Sequence, residues 1–330
     1  MSPRAPTNLM KKEAVRDFPG DSTEGLAFLE ALLTPPRYPA CLLWTQGERP
    51  SPFPFEAPPY DAALPWLPSF VTRVSPESEP GRHPLHEAGA YYCLDFSSVW
   101  AASALLEVTH QSGTIHRVLD LCAAPGGKSV FASLALNPAF LLSNEVIGKR
   151  LAILRHNLAR CRIPNAHTQR LDPRDLATLA SDAFDVVIVD APCSGQSLIA
   201  KGIENPGAFH PSTVKGNAKR QTGILTAAAS CVAPGGWLLY STCTFSEREN
   251  EGPITRLLER RPDFHPIAVP HLEPWRTTHA EFPAYRLYPQ SRLGAGAFAA
   301  LLRRGSEETK QSQSVWDDSL QAYPVRPAAQ

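Results

Sequence analysis

The sequence predicts an α/β protein built on a mainly parallel, doubly wound sheet. Short apolar runs alternate with longer helical stretches from about residue 97 onward, which is typical of a parallel sheet with right-handed crossovers. A glycine-rich turn directly follows one of the apolar runs. Such a turn, between a strand and a helix, is where doubly wound sheets bind nucleotide-like ligands. We therefore expect the functional site at this turn.

The glycine-rich turn lies within residues 118–129, which have the sequence VLDLCAAPGGKS. The apolar residues up to Leu121 are typical of a buried strand, and Lys128 and Ser129 begin a stretch that can form a helix. The turn lacks the G-x-G-x-x-G pattern of dinucleotide-binding enzymes. A P-loop is the weaker alternative, because its first glycine would fall at Leu121 or Cys122.

The other elements follow in regular order, beginning with a helix from about Ser97. The predicted strands span residues 117–121, 140–146, 166–172, 184–190, 237–240 and 297–304. The predicted helices span residues 148–161, 224–232 and 247–261, and a turn is expected at 234–236. We expect one main domain over residues 86–305 and a mobile polar tail over residues 306–330.

Residues 1–85 differ in composition, because they contain sixteen of the 33 prolines. They predict a small Pro-rich N-terminal lobe or arm with one short helix, Gly25 to Leu33, behind a capping box at residues 21–24. The rest of this segment is not expected to form a long helix or a central strand. Several aromatic side chains are expected to be buried: Trp44, Phe53, Phe55, Tyr60, Trp66 and Phe70.

The composition limits the partners and the compartment. Lys plus Arg and Asp plus Glu both number 32, so a nucleic-acid partner would need a local basic patch. Seven cysteines, without paired spacing, and the lack of a secretory or transmembrane run favour a reducing cytoplasm and no membrane contact. We expect a cytoplasmic monomer.

Polar and thiol residues follow several of the predicted strands. Glu145 ends the second strand, where a carboxylate can accept both hydroxyls of a ribose, although a solvated acid at a helix start gives the same pattern. Asp190 and Cys193 follow the fourth strand, and Cys243 follows the next. Because the carboxyl ends of parallel strands share one crevice, we expect these side chains to meet Lys128 there.

The other thiols are expected to have no chemical role. A cysteine is most often a small buried hydrophobic residue, and we apply this interpretation to Cys41, Cys93, Cys161 and Cys231. No metal is expected, because the sequence has no C-x-x-C and two separated cysteines are not a full ligand set.

The chain resembles the RNA cytosine-5 methyltransferases of the Nop/Sun type in the order of four motifs: AAPGGK, an acidic residue, DAPCSG and YSTCT. The resemblance is greatest to the bacterial ribosomal-RNA branch of this family, the RsmB-like and RsmF-like enzymes. The likeness extends over residues 81–304. The chain departs from the family pattern at Leu94, where the family often has Gln, at residues 41–44, and after PCSG, where it has QSLIAKG. These departures affect the choice of RNA and leave the chemistry intact.

The resemblance implies a Rossmann-like class I fold with a seven-stranded sheet, and S-adenosylmethionine as the methyl donor. It implies that Glu145 holds the ribose and Asp172 the adenine end of that cofactor. The remaining implied cofactor residues are Cys122, Ala123, Ala124, Pro125, Gly126, Gly127, Lys128 and Asp190. The resemblance also implies that Asp190 binds the pyrimidine edge, with Lys128 close to the base.

The resemblance assigns different work to the two cysteines. Cys243 would add to carbon 6 of cytosine, and Cys193 would assist removal of the proton from carbon 5 and release of the enzyme. The chemistry supports this division, because carbon 5 is a poor nucleophile until a thiolate has added to carbon 6. A base must then remove the proton before the thiolate can leave.

RNA is the expected partner, and its target cytosine must be single-stranded or extruded. Lys215, Lys219 and Arg220 are predicted to form a short basic loop beside the crevice, although a charge run is more often a solvated face. Other basic candidates are Arg150, Arg155, Arg160, Arg162, Arg303 and Arg304.

The expected function is methylation of carbon 5 of a cytosine in structured RNA, most simply ribosomal RNA. Two alternatives remain: the same reaction on transfer RNA, and a non-catalytic RNA-binding protein that kept the fold. Retention of both cysteines with Asp190 and Lys128 argues against the second. A DNA cytosine methyltransferase would use the Pro-Cys cysteine as its nucleophile and would lack the TCT cysteine.

Overall fold

A computed structural model describes residues 5–46, 49–58, 64–306 and 322–326 of the chain. Within these residues the helices are α1 (Asn8–Asp17), α2 (Ser22–Leu33), α3 (Pro84–Glu87), α4 (Phe96–Ala102), α5 (Leu105–Gln111), α6 (Gly127–Leu136), α7 (Gly148–Arg160), α8 (Pro173–Leu179), α9 (Pro211–Cys231) and α10 (Glu251–Arg260). The strands are β1 (Ala40–Trp44), β2 (Val71–Val74), β3 (Tyr91–Asp95), β4 (Arg117–Asp120), β5 (Phe140–Asn144), β6 (Ala166–Gln169), β7 (Phe184–Asp190), β8 (Val232–Thr242), β9 (Phe264–Ile267), β10 (Tyr285–Leu287), β11 (Ala297–Arg304) and β12 (Tyr323–Pro324).

The large sheet confirms the predicted α/β class. Seven strands lie side by side in the order β10-β11-β8-β7-β4-β5-β6, and in the described residues β9 and β12 add two further strands at β11 and β6. The five strands from β8 to β6 are parallel to one another. The last long strand, β11, is antiparallel to β8, so the sheet is mixed at this edge.

Helices cover both faces of this sheet. Along β7, Val186 and Ile188 belong to one hydrophobic core, whereas Val187 and Val189 belong to the other. Side chains alternate between the faces of a strand, so a strand covered on both sides is apolar throughout. The first core includes residues of α4 to α7, and the second includes residues of α8 to α10. This is the two-sided helical packing of a doubly wound sheet.

The expectation that the N-terminal segment has no central strand was wrong. β1 lies between β2 and β3 in a three-stranded antiparallel sheet. The prolines are excluded from this strand, because the run 40–44 contains none, and they lie instead in the connection that follows it. This sheet crosses the predicted boundary at residue 85, since β3 begins at Tyr91.

Two helices precede this small sheet, whereas the sequence predicted only one. α1 was not predicted, and α2 begins at Ser22 rather than Gly25, because the Asp21 carboxylate accepts hydrogen bonds from the amides of Thr23 and Glu24. Phe28 of α2 packs edge-on against Phe245, with ring centroids 5.0 Å apart. The helix pair therefore contacts the loop that follows β8.

The aromatic side chains of this segment follow the prediction in part. Trp44 and Phe55 are buried, and Trp66 and Phe70 are partly buried against the first core. Phe53 is 38% exposed, contrary to expectation, although its ring packs against those of Trp44 and Phe55. The expectation for Tyr60 falls outside the described residues.

The predicted basic loop at residues 215–220 was wrong, because these residues lie in α9. His210 caps this helix by accepting a hydrogen bond from the amide of Ser212, and Pro211 occupies its first turn. Two glycines, Gly216 and Gly223, weaken the helix signal in the sequence. Burial of one face, including Val214 and Leu225, compensates for this low propensity.

Other boundaries also differ from the prediction. β5 ends at Asn144 rather than at residue 146, and β6 ends at Gln169 rather than at residue 172. The strand expected at 237–240 extends over Val232–Thr242 and includes the turn expected at 234–236, where Gly235 adopts a φ of +77° and the register with β7 shifts. The helix expected from residue 247 begins at Glu251.

Most of the segment expected to be a mobile tail, residues 307–321 and 327–330, lies outside the described residues. Between them, β12 pairs with the edge strand β6, with Tyr323 opposite Thr168. No helix in the described parts of the chain is long and apolar enough to span a membrane.

Candidate active site

A cavity of about 280 Å³ lies at the carboxyl ends of β4, β7 and β8. Three loops converge there because parallel strands end at the same edge of a sheet. The polar, charged and thiol side chains that line the cavity come from five segments of the chain: Asp95, Ser97, Ser98, Cys122, Lys128, Arg150, Asp190, Cys193, Ser197, Lys201, Thr242 and Cys243.

The turn after β4 needs glycine at two positions for different reasons. Gly126 adopts a φ of +119°, a conformation that side chains disfavour. At Gly127 an added Cβ would lie 2.5 Å from Cδ1 of Leu94, so the strand β3 packs directly onto the turn. Leu94, the residue that departs from the family pattern, therefore supports the wall of the cavity.

Lys128 and Asp190 form an ion pair in the cavity, with Nζ 2.8 Å from Oδ2. Burial alone would lower the pKa of Lys128, but the Asp190 carboxylate and its hydrogen bond outweigh burial and raise that pKa. Ser241 donates a hydrogen bond to the other carboxylate oxygen of Asp190, at 3.1 Å. The ammonium is buried, whereas the Asp190 side chain is 40% exposed to the cavity. The charged pair thus offers its carboxylate to a ligand.

The two cysteines that follow adjacent strands meet in this cavity. Their sulfur atoms lie 3.2 Å apart, and both are free thiols. The hydrogen bond from Cys193 lowers the pKa of the Cys243 thiol despite burial, and the ammonium of Lys201 acts in the same direction. The same hydrogen bond, together with burial, raises the pKa of Cys193. Cys243 is therefore the better thiolate and Cys193 the better proton acceptor.

A second ion pair, which the sequence analysis did not assign to the site, lines the same cavity. Lys201 and Asp95 approach to 3.3 Å, and each side chain is about one third exposed. Burial would raise the pKa of Asp95. The ammonium charges of Lys201 and Lys128 and the hydrogen bonds from Ser98 outweigh burial and hold this pKa below its usual value. Asp95 stands in YYCLD, a segment that belongs to the family resemblance, and this was the available signal, whereas Lys201 stands in QSLIAKG, where the chain departs from the family pattern.

Glu145 directly follows β5, and its side chain is 3% exposed. One carboxylate oxygen accepts a hydrogen bond from the amide of Ile147, and the other lies 3.2 Å from Arg150. Arg150 also donates to the carbonyl of Ala124 in the glycine-rich turn, at 2.6 Å. The structure thus links Glu145 to the turn through Arg150.

Asp172 does not line the cavity. It caps α8 by accepting a hydrogen bond from the amide of Arg174, and it pairs with the guanidinium of the same residue at 2.9 Å. These hydrogen bonds lower the pKa of Asp172. Its side chain remains 43% exposed, next to the end of β6.

The basic candidates separate into two groups. Arg155 and Arg160 are engaged within the protein, with Thr168 and with the carbonyls of His86 and Tyr91. Lys215, Lys219 and Arg220 are exposed on α9, and none of the three forms an ion pair with another described residue. We refer to these last three side chains as the basic face of α9.

The family model described as 16S rRNA methyltransferase RsmB/F matches residues 107–303. Proteins named ribosomal RNA small subunit methyltransferase F are similar to the chain. The one from Erwinia tasmaniensis is 32% identical over 74% of this chain and 53% of its own length. The one from Cronobacter sakazakii is 33% identical over 60% of this chain and 42% of its own length. The chain spans about half the length of these curated relatives.

Two solved structures from Pyrococcus horikoshii share the fold. A methyltransferase homolog superimposes with a TM-score of 0.66 at 24% identity, covering 91% of this chain and all of that one. A structure described as NSun6 with SFG gives a TM-score of 0.66 at 17% identity, covering 92% and 99%.

Proposed function

Because this chain belongs to the RsmB/F family of 16S rRNA methyltransferases, we propose that it methylates carbon 5 of a cytosine in small-subunit ribosomal RNA. The proposal rests above all on one observation: two thiols of opposite pKa shift lie 3.2 Å apart in a cavity that also holds an exposed carboxylate, Asp190. Covalent activation of a pyrimidine needs a thiolate and a separate proton acceptor, and this pair supplies both.

The residues around the turn fit S-adenosylmethionine as the methyl donor. The buried carboxylate of Glu145 directly follows β5 beside the turn, and the apolar side chains of Val146 and Ile147 are about half exposed. A ribose diol suits the carboxylate, and an adenine ring suits an open apolar surface. Residues 122–128 would hold the methionine part, and Asp172 the far end of the adenine.

When bound, S-adenosylmethionine supplies the methyl group that carbon 5 accepts. The chain's own residues prepare and complete that transfer. The thiolate of Cys243 forms a bond to carbon 6, and the electron pair of the 5,6 double bond moves through the ring towards nitrogen 3. For this step Asp190 takes up a proton from solvent and gives it to nitrogen 3, which neutralises the charge that develops there. Carbon 5 is then enamine-like and nucleophilic.

Once Cys243 is bonded to carbon 6, Cys193 loses its own proton to water, and the Cys193 thiolate then accepts the proton from carbon 5. The electron pair of that C–H bond restores the 5,6 double bond, the bond from carbon 6 to the sulfur of Cys243 breaks, and the proton on nitrogen 3 returns to Asp190. Lys128 keeps Asp190 in place and balances its charge. A raised pKa suits Cys193 to this work, because a stronger base removes the proton more readily.

The test is methyl transfer from labelled S-adenosylmethionine to isolated small ribosomal subunits, naked ribosomal RNA and transfer RNA. We expect labelled 5-methylcytosine in one of the two ribosomal substrates, at a position that bisulfite sequencing identifies. Label in transfer RNA alone would reassign the substrate. Absence of label from all three, with a protein that binds S-adenosylmethionine, would favour the non-catalytic alternative.

A further inference from the structure

Two neighbouring buried polar residues, Glu249 and Asn250, lie between the strand that ends beside Cys243 and the helix α10. Neither side chain is exposed, and neither lines the cavity. Buried carboxylate and amide groups in a core are unfavourable unless they are hydrogen-bonded. Their contacts lead to the two loops that carry the cysteines.

Glu249 holds the chain on both sides of Cys193. Its carboxylate accepts a hydrogen bond from the amide of Ser194, at 2.8 Å. The same oxygen accepts a hydrogen bond from Nε2 of Gln221, at 3.0 Å, and that nitrogen also donates to the carbonyl of Pro192, at 2.9 Å. Ser194 is therefore bonded to this carboxylate directly, and Pro192 is linked to it through Gln221.

Asn250 holds the chain on both sides of Cys243. Its side-chain oxygen accepts a hydrogen bond from the hydroxyl of Thr242, at 2.5 Å, and its side-chain nitrogen donates to the carbonyl of Thr244, at 2.9 Å. The hydroxyls of Thr244 and Ser194 lie 2.8 Å apart and join the two loops directly.

The backbone of this residue pair is itself fixed. The amides of Glu249 and Asn250 both donate to the carbonyl of Ser246, and the buried hydroxyl of Tyr240 donates to the carbonyl of Glu249 at 2.6 Å. One carboxylate oxygen of Glu249 has no hydrogen-bond partner among the described residues, which costs stability. An incompletely hydrogen-bonded, buried carboxylate destabilises the fold. Its place beside the Cys193 loop indicates that it orients this loop rather than only filling space in the core.

We propose that Glu249 and Asn250 are positioning residues, one for each cysteine: Glu249 sets the place of Cys193, Asn250 sets the place of Cys243, and together they fix the separation of the two sulfur atoms. The positioning itself is a property of the RNA-free protein. Its consequence for catalysis rests on the proposed function, in which Cys243 adds to the base and Cys193 removes the proton.

The experiment uses the full chain with Glu249→Ala, Glu249→Gln and Asn250→Ala. Glu247→Gln is the matched control, because this glutamate lies two residues away and its side chain is partly exposed. Each protein is incubated with the ribosomal substrate and S-adenosylmethionine, and the covalent protein–RNA adduct is followed on denaturing gels. Alkylation of Cys193 and Cys243 by iodoacetamide is measured separately, against pH and without RNA, by mass spectrometry.

The two positions should give opposite results. Asn250→Ala should slow adduct formation roughly tenfold. This is the effect expected when the attacking thiolate is displaced because the hydrogen bonds that hold its loop are lost. Glu249→Ala should form the adduct but release it roughly tenfold more slowly, so that the adduct accumulates. Glu249→Gln keeps an oxygen for the Ser194 amide and should restore most of the release rate.

Alkylation without RNA tests the same assignment independently. Glu249 contributes to the raised pKa of Cys193, so both Glu249 variants should move the alkylation profile of Cys193 to lower pH. Glu247→Gln should move neither profile. Equal loss of both cysteine functions in every variant, in proportion to a lowered melting temperature, would overturn the proposal in favour of a structural role.

Failure of the proposed function would look different. In that case the wild-type protein forms neither product nor adduct, whereas the alkylation profiles still report whether each residue acts on its own cysteine. Unchanged alkylation profiles in variants of an active enzyme would instead overturn the positioning alone.

Discussion

The sulfur atoms of Cys193 and Cys243 lie 3.2 Å apart, although fifty positions of the sequence separate the two residues. The pair is asymmetric, because the hydrogen bond between the thiols lowers the pKa of Cys243 and raises that of Cys193. Lys201 adds to the asymmetry from the Cys243 side. A thiolate that attacks and a thiol that exchanges a proton are thus distinguished before any substrate is bound.

This asymmetry predicts that the two cysteines give opposite mutant phenotypes. Cys243→Ala should abolish methyl transfer and the covalent RNA adduct, because no thiolate remains to add to carbon 6. Cys193→Ala should still add and transfer the methyl group but release the RNA slowly, so that an adduct survives denaturing electrophoresis. Incubation of each protein with RNA and S-adenosylmethionine, followed by gel analysis, measures both.

The double variant Cys193→Ala/Cys243→Ala is the control and should form no adduct. Loss of a small, partly buried thiol lowers stability modestly and to a similar extent at both sites, so misfolding cannot generate opposite adduct behaviour. An adduct in Cys243→Ala that is missing from Cys193→Ala would invert the assignment and match the arrangement of DNA cytosine methyltransferases.

The sequence was enough to predict those site residues that lie at or soon after the end of a strand of the large sheet. The positions of Lys128, Asp190, Cys193 and Cys243 follow from apolar runs that end in short polar motifs, since parallel strands bring their carboxyl ends to one edge. The Asp95–Lys201 pair could not be predicted in this way. It joins the end of a strand in the other, smaller sheet to the loop after Cys193, and pattern alone does not show how two sheets pack.

The same reasoning separates the correct and the incorrect parts of the fold prediction. Continuous apolar strands such as β7 are visible because they are buried on both faces. The helix α9 was assigned only at its apolar end, because glycines and lysines mask its first half. The central position of β1 was missed because it depends on partners that begin 31 and 51 residues after Ala40, at Val71 and Tyr91. Pairings between strands so far apart in the chain cannot be predicted from the local sequence.

Glu145 should be required for tight binding of S-adenosylmethionine. Glu145→Ala removes the carboxylate proposed to hold the ribose, and calorimetry should show affinity reduced roughly tenfold or more. Glu145→Gln keeps an oxygen that can accept the hydrogen bond from the Ile147 amide, so its affinity should lie between those of the wild type and Glu145→Ala. Glu259→Gln, an exposed change on α10, should bind as the wild type does. Equal affinities throughout would remove Glu145 from the ribose site.

The basic face of α9 should contribute to RNA binding by contacting phosphates. Neutralising Lys215, Lys219 and Arg220 together should weaken RNA binding and reduce the slope of log affinity against log salt, because fewer counterions are released. Affinity for S-adenosylmethionine should not change. Neutralising three other exposed cations, Lys11, Lys12 and Arg82, is the matched control, and an equal effect from both sets would return α9 to the status of an ordinary solvated helix.

Asp120 should make folding stability depend on pH in a direction opposite to that of a paired surface carboxylate. Its side chain is fully buried beneath the glycine-rich turn, where it accepts a hydrogen bond from Ser129 at 2.7 Å, and its other oxygen has no partner among the described residues. Burial raises the pKa of Asp120 from 3.8 to about 7. Protonation therefore favours the folded state over the unfolded state.

Stability from this group is complete below the unfolded pKa and is lost as the pH rises from about 4 to about 7. Asp120→Asn is neutral at every pH and keeps an oxygen for the Ser129 hydroxyl. Relative to this variant, the wild type should lose on the order of 2 kcal/mol of unfolding free energy between pH 5 and pH 8. Chemical denaturation at each pH measures the difference, and Asp175→Asn, an exposed change on α8, should give a constant difference. Parallel pH curves for the wild type and Asp120→Asn would mean that Asp120 is ionised in the folded protein, with its charge balanced by Lys128.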